Sequence, residues 1–245
     1  MSWEIKGKRY SQNYLEISRG KNLIRVNQGE KTGNTHLFAG WINLQANAYV
    51  TYSLVNKVPL ETYLRGVLPY EIGTSAPKAS LEAQAVIART YALRNLRRFA
   101  IDDYQLCADT HCQVYDGLNG VAKTTDQAIA ATRGMVLTYN QELVDALYSS
   151  TTGVVTASFS DVWNSEDRPY LRPVIDAAVN IWNFSEKSLA DEKNFRQFIN
   201  LEKGFNESTW DVFRWHKQTS LEDITKDLQK FLRLKKSPYA KLKTV

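Results

Sequence analysis

The sequence predicts an α+β protein whose short antiparallel strands come first and whose helices follow, and three observations predict this class. Segments before residue 58 alternate apolar and polar residues at the period of a half-buried strand, as in Tyr14–Ser18 and Leu23–Asn27. Beyond that point apolar residues recur at helical spacing. The hydrophobic content of 43% and the charged content of 23% are ordinary for a chain with a packed core. We therefore expect mixed helices and antiparallel strands in a single main domain with a β-rich N-terminal part.

The N-terminal strands are expected to pack on the remainder of the chain. A third strand is predicted over Ala48–Val55, and glycines upstream of it mark turns between the strands. We expect residues 1–50 to form a β-rich segment that packs on the core, and residues 51–245 to form that core together with a C-terminal helix.

Helices are predicted from residue 59 onward. Apolar residues share one face over residues 59–67, and this helix must end near Leu68 because the residue before Pro69 avoids the α conformation. Further helices are predicted over residues 77–99 and 124–132.

The rest of the chain contains weaker patterns. Met135–Tyr139 and Leu143–Tyr148 are expected to pair as a hairpin around Asn140-Gln141. Trp210–Trp215 is predicted to be a strand, and a capped amphipathic helix is predicted over residues 220–232.

Glu71 is the only charged residue between Arg65 and Lys78, and its isolation permits two interpretations. A single Glu in a short apolar run is usually a solvent-facing loop residue. Alternatively, its carboxyl group lies in a partly apolar pocket, where desolvation raises its pKa and lets it act as a general acid near neutral pH.

A second candidate site gathers Cys107, His111 and Cys112 into six residues. Thiolates and an imidazole at this spacing are suitable ligands for a structural zinc ion, with a fourth ligand such as Asp103 or Asp109. A disulfide is the alternative if the protein works outside the cytoplasm, and two unpaired thiols are the third possibility.

Composition and motifs exclude several classes of function. The net charge is +5, but the basic residues are dispersed along the chain, so we expect no nucleic-acid partner. No apolar run approaches the roughly 20 residues needed to cross a bilayer, and no apolar region of a signal peptide follows Met1. Phosphate-binding, dinucleotide-binding, HExxH and GxSxG motifs are also absent from the sequence.

Four segments, in order, resemble the family of stage II sporulation protein D and the amidase enhancers. They are Val58–Glu71, Leu81–Leu93, Cys107–Tyr115 and Ser149–Thr156. The resemblance covers about residues 50–180 and implies a lytic transglycosylase that cleaves peptidoglycan glycan strands at MurNAc–GlcNAc bonds. It also implies a place in the cell envelope, either the periplasm or the cell wall, with an export signal that this chain does not contain.

The resemblance assigns roles to individual residues. Glu71 matches the catalytic acid and base, which would give 1,6-anhydro ends, and Cys107, His111 and Cys112 match the metal-binding segment. We further expect sugar contacts from these residues: Arg89, Gln113, Tyr115, Ser149, Ser150 and Thr151. Two of these expectations have structural alternatives, because Arg89 would also suit a packed helix and the Ser/Thr run would also satisfy its own backbone.

An alternative function is a non-catalytic module that binds peptidoglycan or enhances a cell-wall amidase. The two functions differ in whether Glu71 lines a groove or is exposed without a partner.

Overall fold

The chain divides after Ser150 into two compact units, residues 1–150 and residues 151–245. The computed structural model describes residues 2–5, 7–11, 14–18, 20–21, 23–27, 34–47, 49 and 51–236. Sequence analysis placed a boundary between a β-rich segment and the core at residue 50, and that boundary remains a prediction. The strand that follows residue 50 pairs with the strand that precedes it.

Antiparallel strands form the N-terminal part of the first unit. They are β1 (Ser2–Ile5), β2 (Lys8–Ser11), β3 (Tyr14–Ser18), β4 (Ile24–Asn27), β5 (Thr35–Phe38), β6 (Trp41–Ala46) and β7 (Tyr52–Lys57). Strand β1 pairs with β2, β4 pairs with β5, and β6 lies between β3 and β7. The predicted strands at Tyr14–Ser18 and Leu23–Asn27 are confirmed, the second from Ile24 onward. The third begins at Tyr52, and positions 48 and 50 of its predicted range lie outside the described residues.

Helices form the core of the first unit. They are α1 (Leu60–Arg65), α2 (Leu68–Glu71), α3 (Lys78–Arg94) and α4 (Lys123–Ala131). Leu64 and Leu68 are fully buried against Ala85 and Ala88 of α3, whose small side chains allow the helices to approach closely. Burying each leucine stabilises the fold by about 2 kcal/mol relative to leaving it exposed.

Helix α3 ends five residues before its predicted end, and its C-cap explains the difference. The side-chain amide of Asn95 donates to the carbonyl of Tyr91 at 2.8 Å, and the backbone N–H of Asn95 donates to the same carbonyl. A short polar side chain that competes for a helix carbonyl favours a helix end over continuation.

The predicted hairpin is confirmed, although its strands are short. Strand β8 (Thr138–Tyr139) pairs with β9 (Glu142–Leu143). Asn140 and Gln141 have positive φ angles of 49° and 67°, as a two-residue hairpin turn of type I′ requires.

The second unit has its own aromatic core. Its helices are α5 (Phe159–Trp163), α6 (Glu192–Ile199) and α7 (Leu221–Leu234). The buried residues of this core are Val154, Trp182, Phe198, Phe205 and Phe213. Helix α7 confirms the predicted helix and its cap, because the Ser220 hydroxyl accepts from the backbone N–H of Asp223 at 3.1 Å.

The predicted strand at Trp210–Trp215 is wrong. The segment forms turns and bends, and its middle residue, Phe213, is buried in the aromatic core. The apolar residues alternate here although only one of them, Phe213, is buried, and it lies in a turn. Alternation alone cannot separate this arrangement from a half-buried strand. No described helix combines the length and the apolar character that a membrane span needs.

Candidate active site

Glu71 is the last residue of α2 and is half-buried. Sequence analysis placed it in a turn beyond a helix end. The structure begins a new one-turn helix at Leu68 instead, because proline in a first helical turn loses no hydrogen bond, and Pro69 lies there. This turn packs on the core through Leu68 and so gives the Glu71 backbone a fixed position.

A backbone donor binds the Glu71 carboxylate, and a tyrosine lies near it. The backbone N–H of Val114 donates to Oε1 at 2.5 Å, and the carboxylate interacts electrostatically with the hydroxyl of Tyr148. The Val114 bond joins two segments that are 43 residues apart in the chain. Glu71 is therefore neither an exposed loop residue nor a carboxyl group in a purely apolar pocket.

A buried amide lies behind Tyr148. The Gln113 side chain is 0% exposed, and its Nε2 donates to the Tyr148 hydroxyl at 3.1 Å. Its Oε1 accepts from the hydroxyl of Tyr63 at 3.3 Å. Tyr63, Gln113 and Tyr148 thus form one continuous chain of side-chain hydrogen bonds, which we call the tyrosine–glutamine chain.

The tyrosines of this chain are neutral in the range where carboxyl groups titrate. Burial raises the pKa of Tyr63, and the neighbouring Tyr148 raises it further. Burial also raises the pKa of Tyr148, against the opposing effect of the bond from Gln113, and the nearby Glu71 carboxylate raises it further. Both hydroxyls therefore remain available as donors at physiological pH.

The loop that carries Val114 is docked tightly on the end of α1. A Cβ atom at Gly66 would lie 2.4 Å from Cε2 of Tyr115 and 2.5 Å from the carbonyl oxygen of Gly117, so only glycine fits there. The Tyr115 ring packs beside the Tyr63 ring, with centroids 5.0 Å apart, and its hydroxyl donates to Asn56 Oδ1 at 2.5 Å. These contacts keep the Val114 amide within hydrogen-bond distance of the Glu71 carboxylate.

Cys107 and Cys112 form a disulfide across the start of this loop, with Cα atoms 5.7 Å apart. Of the three alternatives drawn from the sequence, the structure has the disulfide. Oxidised sulfurs provide no thiolates, and the imidazole of His111, with a side chain 81% exposed, lies 3.1 Å from the carboxylate of Asp109. No group of three or more His, Cys, Asp and Glu side chains suited to a metal ion occurs within the described residues. The residues present therefore do not fit the predicted zinc site.

Removing the disulfide is expected to lower the free energy of unfolding by about 2 kcal/mol, because the closed loop is short and its restraint on the unfolded chain is correspondingly small. Chemical unfolding of the wild type with and without dithiothreitol measures the difference. The Cys107→Ser/Cys112→Ser variant is the control, since dithiothreitol should leave its unfolding curve unchanged. Equal stability of the oxidised and reduced wild type would contradict the expectation.

Arg89 does not reach a substrate, which corrects the expectation from sequence. Its side chain is 1% exposed, and Nε and Nη2 bind the two carboxylate oxygens of Glu61 at 2.8 Å each. Nη1 donates to the carbonyl of Met135 at 3.1 Å. These bonds join α1, α3 and the segment after α4, so Arg89 is a structural residue of the helical core.

Gln113 differs from its predicted role, because it is completely buried and does not reach a sugar hydroxyl. Tyr115 is half-buried and its hydroxyl donates to Asn56, so its sugar contact remains a prediction. Both residues belong to the loop that carries the Val114 amide.

The hydroxyl-rich run falls at the boundary between the two units. Ser149 and Ser150 are exposed at the end of the first unit. In the second unit the Thr151 hydroxyl donates to Oε2 of Glu207 at 2.6 Å, and the backbone N–H of Thr152 donates to Oε1 at 2.8 Å. Glu207 is a buried carboxylate, so Thr151 takes part in an internal bond of its unit, and a sugar contact for the two serines remains a prediction.

Sequence analysis missed the Val114 amide, Tyr148 and Tyr63. A backbone amide has no sequence pattern of its own. Tyr63 matched the apolar face of a helix and was assigned to the core, where its ring indeed lies. Tyr148 directly precedes the Ser/Thr run, and its position at the end of a predicted strand was the one available indication.

Comparison with known proteins defines the class of the first unit. The sequence profile of the stage II sporulation protein family (SpoIID) matches residues 48–139, and that of a domain of unknown function (DUF8618) matches residues 157–245. The amidase enhancer of Bacillus subtilis is 38% identical over 108 residues, which are 44% of this chain and 14% of that protein. Stage II sporulation protein D of the same organism is 30% identical over 135 residues, which are 49% of this chain and 39% of that protein.

The chain therefore contains a domain of the stage II sporulation protein family over residues 48–139, and this part is similar to the amidase enhancer and to stage II sporulation protein D. An uncharacterised protein of Brachyspira hyodysenteriae, 32% identical over 131 residues, covers 53% of this chain and 35% of its own length. The chain thus spans well under half the length of each of these relatives, and the family supports a role related to the cell wall.

Proposed function

We propose that this protein is a peptidoglycan lytic transglycosylase in which Glu71 is both the acid and the base. One observation carries the proposal. Glu71 is half-buried on a short helix packed on the core, its Oε1 is held by the Val114 amide, and its carboxylate interacts with the neutral Tyr148 hydroxyl. This is the arrangement that a single carboxyl group needs in order to give up a proton and then take one back in a defined geometry.

In the first step, protonated Glu71 donates its proton to the glycosidic oxygen while the bond from that oxygen to C1 breaks. The Val114 N–H occupies Oε1, which favours Oε2 as the oxygen that carries the proton. The electron pair of the broken bond stays with the leaving sugar, whose new hydroxyl carries the proton.

In the second step, Glu71 acts as the base. The C6 hydroxyl of the sugar that was cut attacks its own C1, and the hydroxyl proton passes to the Glu71 carboxylate. The new bond from O6 to C1 closes a 1,6-anhydro ring and restores the protonated acid. Because the nucleophile is part of the same sugar, tethering replaces the second carboxylate of ordinary glycosidases.

The Val114 amide stabilises the carboxylate that exists between these steps. Hydrogen bonds to a charged acceptor are stronger than those to a neutral one, so this amide binds the ionised form of Glu71 more tightly than its protonated form. This differential stabilisation lowers the barrier to the first proton transfer.

The same proposal places the protein in the cell envelope, with peptidoglycan glycan strands as its substrate. The disulfide supports this location, since disulfides persist in oxidising compartments outside the cytoplasm. A second candidate function, enhancement of a cell-wall amidase, is favoured by the similarity to the amidase enhancer of Bacillus subtilis.

The products of digestion test the reaction type. Wild-type protein incubated with peptide-free glycan strands is expected to release fragments with 1,6-anhydro ends, each lighter by one water molecule than a hydrolytic fragment in mass spectrometry. Fragments with reducing ends would show hydrolysis and overturn the proposed mechanism. Intact strands that nevertheless bind the protein would favour the amidase-enhancing function.

A further inference from the structure

Helix α7 carries an apolar stripe on one face. At 3.6 residues per turn the members of this stripe fall within one arc of about 100°; they are Leu221, Ile224, Leu228, Phe231 and Leu232. No residue of the helix is buried, and Leu221 and Phe231 are 68% and 55% exposed. Among the described residues, the aromatic core of the second unit contains none of these side chains. A continuous apolar face that stays exposed marks a surface of interaction.

The excess positive charge of the chain is concentrated at the same helix. Residues 1–225 contain 24 Lys and Arg against 25 Asp and Glu, so acidic residues balance the basic ones over this part. Residues 226–245 contain seven Lys and Arg and one acidic residue, Asp227, and therefore account for the whole net charge of +5. Five of the seven basic residues lie in the described part of the chain: Lys226, Lys230, Arg233, Lys235 and Lys236.

The basic side chains frame the apolar stripe. Helical spacing puts Lys226, Lys230 and Arg233 on the face opposite the stripe. Nζ of Lys235 lies 5.9 Å from the centre of the Phe231 ring, so an ammonium group also stands at the edge of the stripe. The later turns of α7 therefore combine cationic groups with an exposed apolar surface.

These two features together favour one kind of partner. A soluble anionic polymer would attract the basic groups but would leave the stripe in water. An uncharged apolar groove would cover the stripe but would not account for the concentration of charge. An anionic lipid surface matches both features, because acyl chains accept the apolar side chains and phosphate head groups attract the basic ones. Lys and Arg suit such a boundary, since their stems can be buried while their charged ends stay in water.

We propose that helix α7 binds in the plane of an anionic phospholipid membrane, with its apolar stripe toward the acyl chains and its basic residues among the head groups. Its 14 residues extend about 21 Å, less than the roughly 30 Å of hydrocarbon in a bilayer, so the helix lies on the membrane and does not cross it. The helix belongs to the second unit and Glu71 to the first, so this binding does not depend on the proposed reaction.

Co-sedimentation of the full chain with lipid vesicles tests the proposal. One set of vesicles contains phosphatidylcholine alone, and the other is an equal mixture of phosphatidylcholine and the anionic phosphatidylglycerol. We expect binding to the mixed vesicles to be at least about tenfold tighter than to the neutral ones, and to weaken as the salt concentration rises. The absence of binding to the mixed vesicles would overturn the proposal.

Two double variants separate the contributions of the stripe and of the charge. Ile224→Asn/Phe231→Asn removes exposed apolar surface, and Lys230→Gln/Arg233→Gln removes two positive charges. Each is expected to weaken binding to the mixed vesicles by about tenfold or more. These side chains are not buried, so thermal unfolding of both variants should match that of the wild type.

Helix α6 of the same unit provides matched controls. Phe195 is 43% exposed there and Lys193 is also exposed, so Phe195→Asn and Lys193→Gln repeat the same chemical changes away from α7. Both should bind the mixed vesicles as the wild type does. A loss of binding equal to that of the α7 variants would show that α7 is not the binding element.

Spin labels test the orientation of the helix. The two cysteines of the chain are joined in a disulfide, so a single added cysteine can be labelled specifically. On mixed vesicles a nitroxide at Ile224→Cys, in the stripe, should become more accessible to oxygen, which concentrates among acyl chains. A nitroxide at Glu222→Cys, outside the stripe, should stay accessible to a water-soluble nickel chelate. Equal accessibilities at the two positions would contradict the proposed orientation.

Two further outcomes would overturn the proposal. If Ile224→Asn/Phe231→Asn binds the mixed vesicles as tightly as the wild type, the attraction is purely electrostatic and points to a soluble polyanion. If sedimentation velocity shows a dimer that this variant loses, and vesicles are not bound, the stripe pairs with a second copy of the chain. Neither result bears on glycan cleavage, and a wild type that cuts no glycan would leave the vesicle assay unaffected.

Discussion

Replacing Glu71 with glutamine is expected to reduce the rate of glycan cleavage by about 10³-fold or more, because the amide cannot carry the transferred proton. Glutamine has the same shape, and its carbonyl oxygen can still accept from the Val114 amide, so the fold should be preserved. Mass spectrometry of anhydro-ended fragments measures the rate, and thermal unfolding measures the stability of the same samples.

Glu142→Gln is the matched control for this experiment. Glu142 is exposed in strand β9, and the same change of charge and shape there should leave cleavage unaffected. If Glu71→Gln keeps more than about a tenth of the wild-type rate, the loss is too small for removal of the general acid. That result would show that another group is the acid.

Replacing Arg89 with methionine is expected to lower the free energy of unfolding by about 3–5 kcal/mol, the usual cost of breaking a buried ion pair by removing one partner. The variant leaves the Glu61 carboxylate without its two charged hydrogen bonds and frees the carbonyl of Met135. Urea unfolding measures this loss of stability. The stability of Arg89→Lys should lie between those of the wild type and Arg89→Met, because an ammonium group keeps the charge without the planar guanidinium geometry.

Arg65→Met provides a control with the same bond geometry at the surface. Nε and Nη2 of Arg65 bind the Asp126 carboxylate at 2.8 and 2.9 Å, but the Arg65 side chain is 39% exposed. Exposed pairs contribute little, so this variant should lose no more than about 1 kcal/mol. Similar losses of unfolding free energy for Arg65→Met and Arg89→Met would show that burial does not determine how much these ion pairs stabilise the fold.

The sequence was sufficient for the class of fold and for most elements of the first unit, because these follow from local patterns. Helix α4 and the hairpin turn lie where periodicity and turn chemistry put them. Errors concentrate where a single contact decides an element. The side chain of Asn95 ends α3 early, and one buried anchor, Phe213, gives a turn the apolar alternation of a strand.

The candidate site was predictable only in part, because its groups meet through contacts between distant segments. Glu71 was identifiable from its isolation in the sequence. Arg89 resembled a functional charge until its partner, Glu61, was known, and Gln113 resembled a sugar ligand until its burial was known. A local pattern states which residues share a face, whereas these roles depend on what faces them from elsewhere in the chain.

The bond between the Val114 amide and Glu71 has a consequence for how this site can be studied. Its donor belongs to the backbone, so replacing Val114 with alanine, or with almost any residue, leaves the donor in place. An alanine scan would therefore show no effect at position 114. It would attribute the stabilisation of the Glu71 carboxylate to side chains alone. Only a change of the backbone itself, such as an ester in place of that peptide bond or a proline at that position, would remove this hydrogen bond and so reveal its contribution.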